Sequence, residues 1–369
     1  MSNENKVKEP LFHIVKRGAL PLWQSWTIRI LSIVVSLIIC GVVTIILTGE
    51  NPINVYSTLI KGAIGSERRI WSLMQNVAIL LCISLAVTPA FKMKFWNIGA
   101  EGQVLMGGLA TAACMIYFGE SLPPAVLFPV MIIACIVAGA IWAIIPAFFK
   151  AFWNTNETLF TLMMNYIAMQ LVSYFVFLHS NPVGSGKIGI INAGTEIGWL
   201  PKIGGKSYLF NIIIVAVLTI GMYIYLKYNK HGYEIAVVGE SENTAKYVGI
   251  NVKKVIIRTM LLSGAICGIA GFLLVSGTDH SIAKETVGGR GFTAIMVSWL
   301  AKFNPIYMIL TSLLIVFLEK GAIQISTDFG LNNSFSDILT GIIIFFIIGS
   351  EFFVNYSVKF RKKDKEGTK

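Results

Sequence analysis

The chain has 369 residues, of which 55% are hydrophobic and only 13% charged, with a mean hydropathy of +0.71 and a formal net charge of +11. So little polar surface excludes a water-soluble globule of this size, and lipid is the natural solvent. The cationic excess fits short loops beside anionic lipid and needs no nucleic acid to explain it.

Residues 1–27 read as a cytoplasmic and interfacial N-terminal segment. Within it the stretch from Leu11 to Trp26, carrying Lys16, Arg17, Trp23 and Trp26, predicts an interfacial helix on the inner leaflet. Crossing a hydrocarbon core of roughly 30 Å takes about 20 apolar residues. Runs of that order predict spans at Ile28 to Leu47, Trp71 to Pro89, Phe95 to Phe118, Ala125 to Phe149 and Leu159 to Leu178. Further spans are predicted at Leu209 to Leu226, Val255 to Val275, Ile306 to Ile325 and Phe335 to Val354. The first run is long enough to span and lacks a small-residue cleavage site, so it reads as a retained helix and not as a secretory signal. A tenth apolar segment, Gly288 to Ala301, is too short for a simple span and predicts a broken or re-entrant helix facing protein, closed off by Lys302.

The expected fold is therefore an all-α polytopic membrane protein of about ten transmembrane segments. Its membrane domain covers residues 28–354, and 355–369 form a basic cytoplasmic tail. Alternating the segments from an inside N-terminus places 21 of the 30 Lys and Arg in the cytoplasm, which predicts that both termini lie inside. Two polar stretches stand out: a Gly- and Pro-containing outer loop from His179 to Ser207, and an inner loop over 227–254. The five cysteines all fall within apolar runs without metal-ligand spacing and read as small core residues.

Few residues could carry chemistry. Gly204-Gly205-Lys206-Ser207 imitates the end of a phosphate-binding loop, but Leu200 stands where the first glycine belongs. The four histidines have no partners at metal or catalytic spacing. More telling is Phe95-Trp96-Asn97-Ile98-Gly99-Ala100-Glu101-Gly102-Gln103, which opens an apolar run. A carboxylate in hydrocarbon costs at least about 2.5 kcal/mol, so Glu101 should face the bundle interior or a cavity. The alternative is a helix start at the inner interface, capped by Asn97, with Glu101 in water. Asn97, Glu101, Gln103 and Asn165 are the candidate substrate-pathway residues; Asn165 and Gln170, two amides at membrane depth in one run, could each serve a neighbouring helix or a ligand.

Asn154 with Glu157 three residues on has the pattern of a capping box. Gly264, Gly268 and Gly271 read as a stripe for close helix packing. Ile98-Gly99-Ala100-Glu101-Gly102 also resembles Val287-Gly288-Gly289-Arg290-Gly291; the two open segments of opposite direction, as in inverted repeats. In the inner loop, Ser241 predicts the cap of a short helix, Lys246 sits in its last turn, and Gly249 suits its left-handed end. Ala245, Val248 and Ile250 are expected to form its apolar patch, beside Tyr247.

Three segments together carry a resemblance: Asn97 to Gln103, Glu157 to Ala168, and Asn243 to Ile250. They resemble permease subunits of ABC importers for branched-chain amino acids, ribose and nucleosides, over nearly all of Ile28 to Val354. The form of the first segment is similar to the nucleoside and simple-sugar branch. The chain departs from the pattern in Trp96 and in its basic N-terminal extension.

The resemblance implies a binding-protein-dependent importer in the bacterial cell membrane. Its partners would be a cytoplasmic ATP-binding subunit, a second permease subunit and an extracellular substrate-binding lipoprotein. It implies that this chain binds no cofactor, with ATP and magnesium on the partner, and that coupling to that partner runs through Ser241, Asn243, Ala245, Tyr247, Gly249 and Ile250. The alternatives are a sugar or branched-chain amino acid permease, or an ion-coupled secondary transporter. The last would have only Glu101 as a coupling carboxylate and would leave the inner loop without a role. A membrane enzyme lacks a convergent catalytic set.

Overall fold

A computed structural model describes residues 12–360, apart from 19, 50, 181 and 183. Most of the basic tail and the first eleven residues therefore lie outside the described residues. In chain order the elements are β1 (Phe12–Lys16), α1 (Leu22–Thr48), α2 (Pro52–Ile64), α3 (Glu67–Lys92), α4 (Ala100–Phe118), α5 (Pro124–Trp153) and α6 (Glu157–Leu178). There follow α7 (Leu209–Tyr228), α8 (Lys230–Glu240), α9 (Glu242–Tyr247), α10 (Val252–Leu274) with a π-helical turn at Val275–Asp279, α11 (Arg290–Leu300), α12 (Pro305–Asp328), α13 (Asn333–Asn355) and β2 (Tyr356–Phe360).

Eight of these helices are long and apolar enough to cross a membrane: α1, α3, α5, α6, α7, α10 with its π turn, α12 and α13. They coincide with eight of the nine predicted long spans. The ninth is α4, whose polar first turn dilutes its hydropathy but whose residues are largely buried in protein. The tenth segment is α11, which at 11 residues reaches only about 16 Å and cannot cross alone. The protein is a polytopic all-α membrane protein.

Two compact units divide the chain, Met1–Ala63 with Leu318–Lys369, and Ile64–Phe317. In the first, α1 packs on α13, with an Arg29–Glu351 ion pair and the Cys40 thiol 3.7 Å from the Leu339 carbonyl. The interfacial helix expected from Leu11 to Trp26 is not formed. Phe12–Lys16 instead pairs antiparallel with β2, Lys16 opposite Tyr356, and α1 starts after Pro21. The β-branched Ile14 and Val15 suit a strand, and the proline, lacking an N–H, fits only at a helix start. Helix α2, which no apolar run of spanning length marks in the sequence, buries Val55, Leu59 and Ala63 at four-residue spacing. Gly321 makes room for it: a Cβ there would lie 2.6 Å from Leu59 Cγ.

In the second unit α10 is the central helix, contacted by α3, α4 and α5. Its predicted glycine stripe sits at these contacts. A Cβ on Gly264 would meet the Gly139 carbonyl at 2.3 Å, and one on Gly271 the Val104 carbonyl at 2.3 Å. Backbones touch here because no side chain intervenes, which is how helices associate where no hydrophobic effect drives them together. All five cysteines are buried and free.

Candidate functional site

Between α3 and α4 the chain does not simply turn at the surface. It leaves α3 through Lys94 at φ 61°, and the following residues run into the protein before α4 begins. Asn97 donates from Nδ2 to Ser263 Oγ at 3.1 Å, half-way along α10. Asn97 Oδ1 accepts from Gly99 N at 3.1 Å and from Gln103 Nε2 at 3.1 Å. From α6, Asn165 Oδ1 accepts from Gly102 N at 2.8 Å while its Nδ2 donates to the Ile98 carbonyl at 2.9 Å. Thr161 Oγ1 takes the Ile98 N–H at 3.2 Å.

Glu101 completes the set. Its Oε1 accepts from Gly289 N at 2.8 Å and its Oε2 from Gly291 N at 2.7 Å. These are the N-cap and second residues of α11, whose own cap glycine has no side chain to offer. A carboxylate on one helix thus caps another, satisfying donors that every helix start leaves open and adding a favourable charge–dipole term. Gly291 lets the two starts meet, since a Cβ there would lie 2.5 Å from the Glu101 nitrogen. The beginnings of α4 and α11 are the two copies of the repeated sequence motif. Gly102 and Gly291 hold the same place in them, and each gives its N–H to a side chain of a different helix.

All four predicted pathway side chains are therefore brought together. Each is at most 2% exposed and bonded to protein: Asn97, Glu101, Gln103 and Asn165. In this arrangement they fasten α4, α6, α10 and α11 to one another. The surface start, with a capping Asn97 and a wet Glu101, does not occur. Nor does the predicted capping box at Asn154. That residue ends α5 at φ 49°, Asn156 caps α6 through Leu159 N at 3.1 Å, and Glu157 pairs with Lys150 at 2.9 Å. Asparagine tolerates the left-handed conformation, so Asn154 could close one helix while its neighbour opened the next.

On the inner loop, Ser241 Oγ accepts from Thr244 N at 3.2 Å and Gly249 turns at φ 82°, as the sequence predicted. The orientation of α9 differs from the expectation. Ala245 is fully buried in a cluster with Met93, Phe95, Ile235 and Val255, and Ile250 packs against it, while Tyr247 is 96% and Val248 60% exposed. A six-residue helix is not stable alone and needs a face on the core, and the alanine is the small residue that can sit there. Asn243 is exposed and Ser241 half-buried.

The preceding helix is braced twice. A Cβ on Gly239 of α8 would lie 2.1 Å from the Lys92 carbonyl, so α8 sits directly on the end of α3. Glu234 accepts from Arg258 of α10 at 2.8 Å, and that guanidinium holds the carboxyl below its ordinary pKa. A depressed carboxyl pKa stabilises the fold above its unfolded value and loses that stabilisation as pH falls through the folded one. Glu234→Gln is therefore expected to cost about 1 kcal/mol at neutral pH and nothing in strong acid. Thermal melts of both proteins across pH check this. Among the described residues no group of three His, Cys, Asp or Glu could hold a metal.

A family described as branched-chain amino acid transport system / permease component matches residues 69–348, which takes in the whole helix-start network and the inner loop. The chain belongs to this family. The permease is 30% identical, over 87% of its own length and 91% of the other's, to the guanosine ABC transporter permease protein NupP of Bacillus subtilis. It is 28% identical to the nucleoside ABC transporter permease protein NupB of Lactococcus lactis, over 83% and 86% of the two chains. Glucose ABC transporter permease protein TsgB13 of Haloferax volcanii is 28% identical to it, over 93% and 92%. A permease component is one part of a transport system and works with other subunits.

Proposed function

We propose that this permease is the membrane-spanning subunit of a binding-protein-dependent ABC importer for nucleosides in the bacterial plasma membrane. The observation that carries the cargo is the 30% identity to a guanosine permease over 87% of the chain, motif included. ATP and magnesium would bind a separate cytoplasmic subunit, a second permease subunit would complete the membrane part, and a lipoprotein would deliver cargo from outside. Antiparallel pairing of β1 with β2 supports placing the two ends of the chain on one face of the membrane. A sugar cargo is the second reading, favoured by the similarity to TsgB13 over 93% of the chain.

Coupling would run through α9. Tyr247 and Val248 stand out from the protein, while Ala245 and Ile250 anchor the helix to the bundle. A push from an ATP-binding partner would pass through α8 to α3 at Gly239 and to α10 at the Glu234–Arg258 pair. Uptake by the reconstituted complex, compared for guanosine, glucose and leucine, tests the cargo; uptake of leucine or glucose alone overturns it.

Tyr247→Asp is expected to lower coupled ATP hydrolysis and uptake together on the order of tenfold, at unchanged melting temperature, because the site lies outside the packed core. Gly249→Val should act in the same direction by straining the left-handed turn. Ala245→Asp, in contrast, buries a charge and should reduce folded protein. Full ATP-dependent uptake in both the Tyr247 and Gly249 variants would sink the coupling role.

A further inference from the structure

The structure separates the two amides that the sequence placed in one helix. Asn165 is bonded inside the bundle, whereas Gln170 lies on the exposed face of α6. On that face Met163, Tyr166, Gln170, Tyr174 and Phe177 follow at three- and four-residue spacing, so they form one stripe, with the exposed Ile167 and Leu171 beside it. The amide of Gln170 and the hydroxyls of Tyr166 and Tyr174 have no hydrogen-bond partner among the described residues. The next span differs: α7 exposes the aliphatic residues Ile213, Val217, Ile220 and Ile224 at the same kind of spacing.

Depth makes the contrast sharper. Along the roughly 33 Å of α6, Tyr166 lies about 14 Å and Gln170 about 20 Å from its start. Interfacial aromatic belts account for tyrosines at the ends of a span, as for Tyr174, but not for a tyrosine and an amide near its middle. An unbonded amide in hydrocarbon is unfavourable, so this stripe faces something polar.

We propose that this face of α6 lines the route of the cargo and recognises an uncharged planar heterocycle. Tyr166 offers a flat ring for stacking, and Gln170, one turn on, offers a donor and an acceptor side by side. That pair matches the adjacent acceptor and donor on a nucleobase edge. Aliphatic lipid or a sugar would use neither pairing as fully. The inference rests on the nucleoside reading above.

The test uses the full importer complex in proteoliposomes. Gln170→Leu and Tyr166→Leu are expected to raise the KM for guanosine uptake on the order of tenfold, with the permease still paired. Tyr166→Phe keeps the ring and should stay within about twofold. Gln170→Leu should also narrow the difference in KM between guanosine and cytidine, because it removes the group that reads the base edge. Unchanged KM in both leucine variants overturns the proposal. Loss of permease pairing in Gln170→Leu, seen by size-exclusion chromatography, also overturns it, since the stripe would then be a subunit contact. If the wild type carries glucose and no nucleoside, the nucleoside reading fails separately. The heterocycle assignment falls with it, and the same variants scored on glucose decide whether α6 touches cargo.

Discussion

Glu101→Ala is expected to unfasten α11 and to destabilise the permease by about 2 to 6 kcal/mol, at about 1 to 3 kcal/mol for each buried donor left without an acceptor. Both carboxylate oxygens are in use, on Gly289 N at 2.8 Å and Gly291 N at 2.7 Å, and the site is too enclosed for water to replace them freely. Glu101→Gln should fall between wild type and alanine, because one oxygen still accepts while the amide NH₂ is turned toward an N–H. Melting in detergent should follow the order wild type, Gln, Ala. The alternative, that Glu101 contacts cargo and does no fastening, predicts the reverse pattern: melting unchanged in both variants and uptake lost. A melting temperature for Glu101→Ala within a degree of wild type would decide for that alternative.

Sequence alone could show that Glu101 must leave the lipid, because the cost of a carboxylate in hydrocarbon depends on no partner. It could not show what the carboxylate meets. The acceptor–donor match lies in the backbone of Gly289 and Gly291, and backbone amides carry no sequence signal beyond the glycines that let them approach. The repeat was a clue, since both motif copies open helices that start inside the protein and need caps from elsewhere. The amide of Asn165 was ambiguous in the same way, and only the position of Ile98 and Gly102 beside α6 resolves it.

The spans were legible because twenty apolar residues in a row have few other uses, and the shortness of α11 was legible for the same reason. The β1–β2 pair was not: Ile14 and Val15 suit a strand, but nothing in either five-residue segment points to a partner at the other end of the chain. The face of α9 was misjudged because a two-turn helix offers too few positions for periodicity to separate a core side from a free side. Its caps were read correctly, since Ser241 and Gly249 act on atoms within three or four residues of themselves.

Gly268→Ala is expected to cost at least about 3 kcal/mol, the upper part of the range for overpacking, and Gly268→Val to leave little folded protein. A Cβ on Gly268 would lie 2.1 Å from the Cys135 carbonyl oxygen, and one on Gly107 2.5 Å from the Gly268 Cα. Helix α10 is thus pressed between α4 and α5 at a single residue. The atoms in the way are backbone, which cannot swing aside as a flexible side chain can. Relief requires the helices to separate, and separation would draw Gly139 away from Gly264 and Gly271 away from Val104, loosening packing along the whole stripe. Gly221 in α7 provides the comparison, as nothing lies within 4 Å of its Cβ position. Gly221→Ala should be neutral or stabilising by about 0.5 to 1 kcal/mol through backbone entropy. Monodisperse yield and melting temperature of the purified variants separate the two cases, and equal melting of Gly268→Ala and Gly221→Ala would show that α10 does not depend on this contact.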